Sequence, residues 1–224
     1  MTTLLPNLQS TEPLYPTGDG EPVAETYDHL YALLIVLEVL RQFLSDRQAT
    51  VLGNQFLYYA QGFPRLRTAP DVMVIFDVAP GGRDSYKIWE EGKVPSVIFE
   101  MTSESTRQHD ESFKKTLYEQ LGVQEYWQFD PKGEWIPEQL RGYRLHGEVY
   151  ESITDSQSQP LQLRLAVDGK LIAFYRLDTG EKLLIPDELA TALAQQTTAR
   201  QQAEARAERL AARLRELGED PEAV

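Results

Sequence analysis

Two short segments that are apolar on both alternating faces constrain the fold most strongly. They are residues 71–78 (DVMVIFDV) and residues 97–102 (VIFEMT). A strand with one face in water alternates apolar and polar residues, whereas a strand covered on both faces is apolar almost throughout. We therefore predict that both segments are central strands of a sheet that is covered on both sides.

The segments on either side of these strands predict helices and further strands. A helix is expected from Pro22 to about Leu44, because proline suits a first turn and residues 33–37 are apolar on every side, which is typical of a helix buried on several faces. A second helix is expected from Ser105 to Leu121, since Gly122 then stands where helices commonly end. Further strands are predicted at 55–59, 125–130, 142–145, 161–165 and 171–177. Together these elements predict an α/β (α+β) fold, in which a mixed central β-sheet has flanking helices.

The composition changes at both ends of the chain. Three prolines within residues 1–20 indicate an N-terminal arm, residues 21–186 form the predicted domain, and residues 187–224 are rich in Ala, Gln, Arg, Glu and Leu. This last segment predicts a helical tail. Its heptad-like positions form a coiled-coil seam with polar residues in the middle: Leu189, Leu193, Gln196, Arg200, Ala203, Ala207, Leu210, Leu214 and Leu217. The pattern fits a coiled coil and a lone solvated helix equally well.

The net charge and the residue types that are missing exclude several classes of protein. The chain has 22 Lys and Arg against 35 Asp and Glu, a net charge of −13, which argues against a general nucleic-acid coat protein but not against an enzyme with a local basic cleft. The sequence has no cysteine, which excludes disulfides and thiolate metal sites and suits a reducing compartment. The longest apolar run, 30–40, is interrupted by Glu38 and is too short to span a bilayer. We expect a soluble cytoplasmic protein that does not associate with membranes.

Two acidic residues stand where acids are costly. Asp71 opens one apolar strand, and Glu100 lies inside the other. A carboxylate in a covered strand must be paired, protonated or bound to a cation. If the two acids converge from neighbouring strands, they form an oxygen-ligand site that suits Mg²⁺. The alternative is that Asp71 caps a turn after Pro70 and Glu100 pairs with an arginine.

A lysine on the second helix is placed to reach the same site. At about 100° per residue, a helical wheel with Phe113 at 0° puts Asp110 at about 60°, Lys114 at about 100° and Lys115 at about 200°. Lys114 then shares the apolar face of the helix, and Lys115 points to solvent. Lys114 acts either in catalysis or in a salt bridge with Asp110, four residues earlier.

These residues, taken together, resemble a known family. The matching positions, in chain order, are Pro70-Asp71, 100–103 (EMTS), Asp110, Lys114, Tyr118 and 122–131 (GVQEYWQFDP). Their order and spacing resemble the Uma-two family of restriction endonuclease-like bacterial proteins, which belongs to the PD-(D/E)XK nuclease superfamily. The resemblance implies a restriction-endonuclease-like fold, in which one pair of strands carries the acids and a helix packs across the sheet.

The resemblance also implies roles for individual residues. Asp71 would be the first metal ligand, Glu100 the second and the carbonyl of Met101 the third. The superfamily has a lysine two residues after the second acid, where this chain has Thr102, so Lys114 is the substitute implied on the following helix. An acid on the first helix can help to hold a metal-bound water, which makes Glu25 a further candidate.

The resulting hypothesis is that the protein is a metal-dependent endonuclease, which uses Mg²⁺ or Mn²⁺ to hydrolyse phosphodiester bonds of nucleic acid. The nucleic acid is expected to be DNA. Substrate contact would require a basic rim, for which the grouped candidates are Arg65, Arg67, Lys114, Arg141 and Arg144. The alternative is a non-catalytic, nuclease-like scaffold that assembles through its C-terminal helix. Superfamily nucleases that cut both strands commonly act as dimers, so a homodimer through this helix is expected.

Overall fold

A computed structural model describes residues 13–18, 20, 26–103, 109–218 and 220, with the backbone alone described at 109–111. The helices are α1 (Tyr27–Phe43), α2 (Ile88–Glu91), α3 (Lys115–Leu121) and α4 (Pro186–Glu216), and a π-helical segment, His109–Lys114, leads directly into α3. The strands are β1 (Ala49–Gly53), β2 (Phe56–Tyr58), β3 (Arg67–Thr68), β4 (Val72–Phe76), β5 (Ser85–Lys87), β6 (Val97–Met101), β7 (Glu125–Phe129), β8 (Leu140–His146), β9 (Val149–Ile153), β10 (Gln157–Ser158), β11 (Leu163–Asp168) and β12 (Leu171–Arg176).

The main sheet has six strands in the order β1-β4-β6-β7-β8-β9. Neighbouring strands are antiparallel except β6 and β7, which are parallel. Parallel neighbours require a crossover connection, because the chain must return to the starting edge of the sheet. The π-helical segment and α3 lie within this crossover. The predicted mixed sheet with flanking helices is therefore confirmed.

Both faces of the sheet are covered, as the apolar strands predict. On one face, Met73 and Ile98 pack in a core cluster with Tyr118 of α3 and Tyr126 of β7. On the other face, the ring of Phe99 meets Phe174 of β12 at 6.0 Å between centroids. α1 packs against β4, β6 and β12. All residues of β6 are buried, which confirms that it is a central strand.

Helix α1 is buried on less of its surface than predicted. It begins at Tyr27 after Thr26, whose hydroxyl accepts a hydrogen bond from the backbone N–H of His29, and the predicted first turn at Pro22 lies outside the described residues. One side faces the core, but Leu30 and Leu34 are exposed. The prediction of a helix buried on several faces is wrong for the side that carries Leu30 and Leu34, which the sheet does not cover.

Two small sheets complete the first unit. Strands β3-β2-β5 form one of them, and Leu57 and Tyr86 from this sheet join the core cluster of Tyr118. Strands β10-β11-β12 form the other.

The chain divides into two compact units, residues 1–183 and residues 184–224. The second unit contains α4, a helix of 31 residues in which no residue is buried. The predicted helical tail is confirmed, and it begins at Pro186. Leu189, Leu193 and Leu210 of the predicted seam are exposed. Within the described part of the chain, every helix is too short or too polar to cross a membrane.

Candidate functional site

The two acids predicted from the sequence lie at the same end of the β4–β6 strand pair. Val72, the first residue of β4, pairs with Phe99 of β6. Asp71 immediately precedes Val72, and Glu100 immediately follows Phe99. Both acids are buried, Glu100 at only 1% exposure. The antiparallel register therefore brings them to one end of the sheet, although they are separated by 29 positions in the chain.

Glu100 contacts two described residues of the crossover that follows it, Lys114 and Tyr118. Lys114 Nζ donates to Glu100 Oε2 at 2.8 Å, and Tyr118 Oη donates to Glu100 Oε1 at 2.7 Å. Burial raises the pKa of the Tyr118 phenol well above its usual value, and the charge of Glu100 raises it further. The phenol therefore stays protonated at neutral pH and serves as a hydrogen-bond donor. Among the described residues, the cation that contacts Glu100 is Lys114.

The helix that carries Lys114 is not a regular α-helix at this point. Lys114 ends the π-helical segment, in which i→i+5 hydrogen bonds change the angle between successive residues. A helical wheel drawn at 100° per residue therefore gives wrong directions for the side chains of this segment. Phe113, predicted to face the core, is 50% exposed. The side chain of Asp110, the alternative partner of Lys114, lies outside the described residues.

Lys115 does not point to solvent as predicted. It is half-buried, and its Nζ lies 3.9 Å from the ring centroid of Tyr143 on β8. A cation over an aromatic face is attracted by the ring quadrupole. The start of α3 therefore lies across the sheet, with Lys114 over β6 and Lys115 over β8.

Asp71 is held by the neighbouring strand. Its Oδ2 accepts a hydrogen bond from the backbone N–H of Met101 at 2.6 Å and lies 3.6 Å from His29 Nε2. This contact differs from the alternative of a turn cap after Pro70, because the N–H belongs to β6. It fixes the carboxylate of Asp71 at the end of the strand that carries Glu100.

A row of polar residues continues from Glu100 across the sheet. Glu100 pairs with Gln128 on β7, and Gln128 pairs with Arg141 on β8, so the three side chains share one face. Gln128 is fully buried, and its Oε1 accepts a hydrogen bond from Arg141 Nε at 2.7 Å. Gln128 is not among the site residues predicted from the sequence. A polar residue inside the apolar strand EYWQF was the available signal, by the argument already applied to Glu100.

The five residues predicted to form a basic rim do not lie together in the structure. Lys114 and Arg141 lie on the face of Glu100. Arg144 does not: it projects from the opposite face, where its Nε donates to the buried Glu125 at 2.9 Å. Side chains three positions apart on a strand point to opposite faces, which explains the error. Arg67 stacks on Phe56 in the small sheet, 4.3 Å from the ring centroid, and Arg65 is exposed on the preceding loop.

Thr102 occupies the position two residues after Glu100. The hydrogen bond from its backbone N–H to the carbonyl of Phe129 extends the β6–β7 ladder by one residue, which places Thr102 on the face of Glu100. Its side chain is 3% exposed, and its hydroxyl has no hydrogen-bond partner among the described residues. A buried hydroxyl without a partner costs free energy of folding.

The donor set suits a hard divalent cation held by few protein ligands. Mg²⁺ commonly binds through one or two carboxylates and keeps several waters, and Asp71 and Glu100 supply that number of carboxylates. The described part of the chain contains no group of three or more His, Asp or Glu side chains that could hold a metal. Glu25, the further candidate, lies outside the described residues. The backbone of Met101 is engaged through its N–H, and its carbonyl remains the predicted third ligand.

Comparison with known proteins places the chain in a family. A family model described as "Uma2: Putative restriction endonuclease" matches residues 5–171, so the chain belongs to the Uma2 family. This confirms the resemblance found in the sequence. Among solved structures, the chain is similar to "a putative nuclease belonging to DUF820" from Anabaena variabilis, with 16% identity and a TM-score of 0.44 over 63% of this chain and 77% of the other. No curated protein matches.

The hydroxyl of Thr102, which is buried and has no hydrogen-bond partner among the described residues, leads to a prediction about stability. Thr102→Val keeps the shape of the side chain and removes the hydroxyl, so we expect the free energy of unfolding to rise by about 1 kcal/mol. Thr50→Val is the matched control. Thr50 is also buried, but its hydroxyl donates to the carbonyl of Gly81 at 2.6 Å, so this variant should lose about 1 kcal/mol. Urea denaturation of both variants measures the difference, and a loss of stability in Thr102→Val would contradict the assignment.

Proposed function

We propose that this protein is a metal-dependent endonuclease that hydrolyses phosphodiester bonds of DNA, with its centre at Asp71, Glu100 and Lys114. One observation carries the proposal. A lysine from the crossover helix is bonded at 2.8 Å to a fully buried carboxylate, beside a second acid at the same end of the sheet. Membership in the Uma2 family supports nuclease activity. The dependence on a metal and the choice of DNA as substrate are tested by the experiments below.

Each residue has a chemical task in this proposal. Asp71 and Glu100 would hold Mg²⁺ or Mn²⁺, with the carbonyl of Met101 as a third ligand. A bound divalent cation supplies Lewis acidity toward the phosphate and lowers the pKa of a bound water. Lys114 places its ammonium where negative charge grows on the phosphoryl oxygens. Tyr118 holds the carboxylate of Glu100 in one orientation through its hydrogen bond.

The reaction is hydrolysis at phosphorus. A water oxygen forms a bond to phosphorus, the bond from phosphorus to the leaving sugar oxygen breaks, and that oxygen takes up a proton. The chain's net charge of −13 opposes the approach of DNA, so local cations on the face of Glu100 matter more than the overall charge.

Metal binding tests the first part of the proposal. Isothermal titration calorimetry with Mn²⁺, and separately with Mg²⁺, should detect a site that is lost in Asp71→Asn and in Glu100→Gln. Asp77→Asn is the matched control, because Asp77 is an exposed acid paired with Lys93 and should leave binding unchanged. Folded wild-type protein that gives no heat with either metal would contradict the metal site.

The two adjacent lysines test the second part. Lys114→Ala should reduce metal-dependent DNA cleavage by about 10²-fold or more, the usual effect of removing one group that stabilises transition-state charge. Lys115→Ala should leave cleavage within a few-fold, because Lys115 lies over Tyr143 rather than beside Glu100. Circular dichroism confirms folding of both variants. If both cleave equally well, Lys114 has no catalytic role, and a non-catalytic scaffold becomes the better account.

We also propose that α4 mediates a homodimer. A long helix with an exposed stripe of leucines is marginal alone in water and is stabilised by a partner helix. Light scattering should give two chains per particle for the full chain and one for a chain ending at Pro186 or carrying Leu210→Glu. The shortened chain should keep its melting temperature, because no residue of α4 is buried. A monomeric full-length protein would contradict the dimer.

A further inference from the structure

A loop on the small sheet of β2, β3 and β5 lies outside the proposed metal centre and exposes an aromatic ring beside cations. Residues 60–66 lie between β2 and β3, and the side chain of Phe63 in this loop is 63% exposed. Arg65 is exposed on the same loop, and Arg67 follows it as the first residue of β3. The proposed reaction assigns no task to these three side chains.

Positive charge is concentrated in this part of an otherwise acidic chain. Residues 47–70 contain three arginines and neither Asp nor Glu, although the whole chain has a net charge of −13. Among the described residues, neither Arg65 nor Arg67 has a carboxylate within salt-bridge distance. Arg67 Nη1 donates instead to the carbonyl of Pro64 at 3.2 Å. A neutral carbonyl orients the guanidinium and leaves its positive charge in place.

Hydrogen bonds to the backbone hold the loop in one conformation. The N–H of Phe63 donates to the carbonyl of Ala60 at 3.3 Å, and the N–H of Leu66 donates to the carbonyl of Phe63 at 2.9 Å. The N–H of Gly62 donates to the hydroxyl of Tyr15 at 2.5 Å. The exposed ring of Phe63 is therefore presented by an ordered turn, which lowers the entropy cost of binding a ligand there.

The two faces of β3 connect the loop to the proposed metal centre. Arg67 lies over the ring of Phe56, 4.3 Å from its centroid, on one face of the small sheet. Thr68, the next residue, points to the opposite face, where its hydroxyl oxygen lies 3.5 Å from Tyr118 Oη. Tyr118 is the residue that donates to Glu100. The strand that presents Arg67 is thus packed against the hydrogen-bond donor of Glu100.

The loop is close enough to the acids to contact the same nucleic-acid strand. Arg67 precedes Asp71 by four residues, and four residues of extended chain span at most about 14 Å. Successive phosphates of one strand are about 3.4 Å apart along the axis of a duplex and farther apart in an extended single strand. A strand that runs from Arg67 to Asp71 therefore covers about four nucleotides or fewer.

The exposed ring of Phe63 favours a strand with unpaired bases over a duplex. Arginines contact the phosphates of paired and unpaired strands alike. A base inside a duplex is stacked on its neighbours, whereas an unpaired base can stack on an aromatic side chain. The two arginines thus account for contact with the backbone, and Phe63 accounts for contact with a base.

We propose that residues 60–66 and Arg67 form a binding surface for an unpaired segment of the nucleic-acid substrate. One base stacks on Phe63, and Arg65 and Arg67 contact phosphates near the bond that is cut. The surface gives an acidic protein a local hold on a polyanion. This inference rests on the proposed function, because it assumes that the bound strand continues to the proposed metal centre.

Three DNA probes separate base stacking from phosphate contact. They are a single-stranded oligothymidylate, an abasic strand with the same number of phosphates, and a duplex of the same length. Each probe carries fluorescein, and fluorescence anisotropy with Ca²⁺ in place of Mg²⁺ measures the Kd at several KCl concentrations. The variants are Phe63→Ala, Arg65→Gln and Arg67→Gln. Arg65→Gln changes only an exposed side chain, so it remains informative if Arg67→Gln impairs folding.

Two substitutions elsewhere on the surface are the matched controls. Val149→Ala removes an apolar side chain that is 61% exposed on β9. Arg164→Gln removes an arginine of β11 that lies over the ring of Tyr175 at 4.2 Å, as Arg67 lies over a ring in its own small sheet. Circular dichroism confirms that all the variants are folded.

We expect Phe63→Ala to weaken binding of the oligothymidylate by about 5-fold or more, the effect of losing one base stack, and to leave binding of the abasic strand unchanged. Arg65→Gln and Arg67→Gln should weaken binding of both strands. In each of these two variants the slope of log Kd against log salt should fall by about 0.7, the value for one phosphate contact of a single strand. The controls should bind like the wild type, and Mn²⁺ binding should be unchanged in every variant.

The contradicting results are distinct. Wild-type protein that binds Mn²⁺ and DNA, with equal Kd values for the loop variants and the controls, would overturn the surface and leave the proposed nuclease intact. Equal losses for the oligothymidylate and the abasic strand in Phe63→Ala, or wild-type binding to the duplex alone, would overturn the contact with an unpaired base. A loop variant that changes the particle mass in light scattering would assign the loop to contact between protein chains and overturn the proposal. Wild-type protein that binds neither Mn²⁺ nor DNA would overturn both the surface and the proposed function.

Discussion

The buried contact between Glu100 and Lys114 is the interaction on which the rest of the site depends. Glu100 is almost fully removed from water, and the isolated burial of a carboxylate is very unfavourable. The ammonium of Lys114 and the phenol of Tyr118 compensate that cost from the same crossover. Removing one partner of a buried ion pair typically lowers the free energy of unfolding by about 3–5 kcal/mol. Replacing both partners by well-packed apolar residues, in contrast, often leaves a protein at least as stable. Stability alone therefore does not explain why ionisable groups occupy these positions.

The parallel pairing of β6 and β7 is what brings these groups together. It requires the chain to cross over the sheet after Glu100, and the crossover places α3 on the face that Glu100 shares with Gln128 and Arg141. α3 then carries Tyr118 into the core, and the π-helical segment before it carries Lys114 onto the carboxylate. The crossover between β6 and β7 therefore determines both the parallel pairing of these strands and the position of Lys114 and Tyr118 beside Glu100.

The sequence predicted the elements better than it predicted their relative geometry. The apolar pattern of β4 and β6 correctly indicated covered central strands, and the two costly acids were visible because they interrupt that pattern. The direction of Lys115 and Phe113 was wrong, because a π-helical segment precedes α3 and sequence periodicity assumes a regular helix. Arg144 was misassigned for a different reason. Arg141 and Arg144 lie three positions apart in β8, so their side chains point to opposite faces of the sheet, whereas the strand predicted at 142–145 did not include Arg141.

The central claim is that Asp71 and Glu100 hold a metal ion with Lys114 beside them, rather than forming a purely structural ion pair. The most direct measurement is an anomalous difference map from crystals of the full chain grown with Mn²⁺. We predict a peak within coordination distance of a carboxylate oxygen of Asp71 and one of Glu100, about 2.0–2.3 Å from each. A map without a peak at these residues, with Glu100 still bonded only to the protein, would contradict the account.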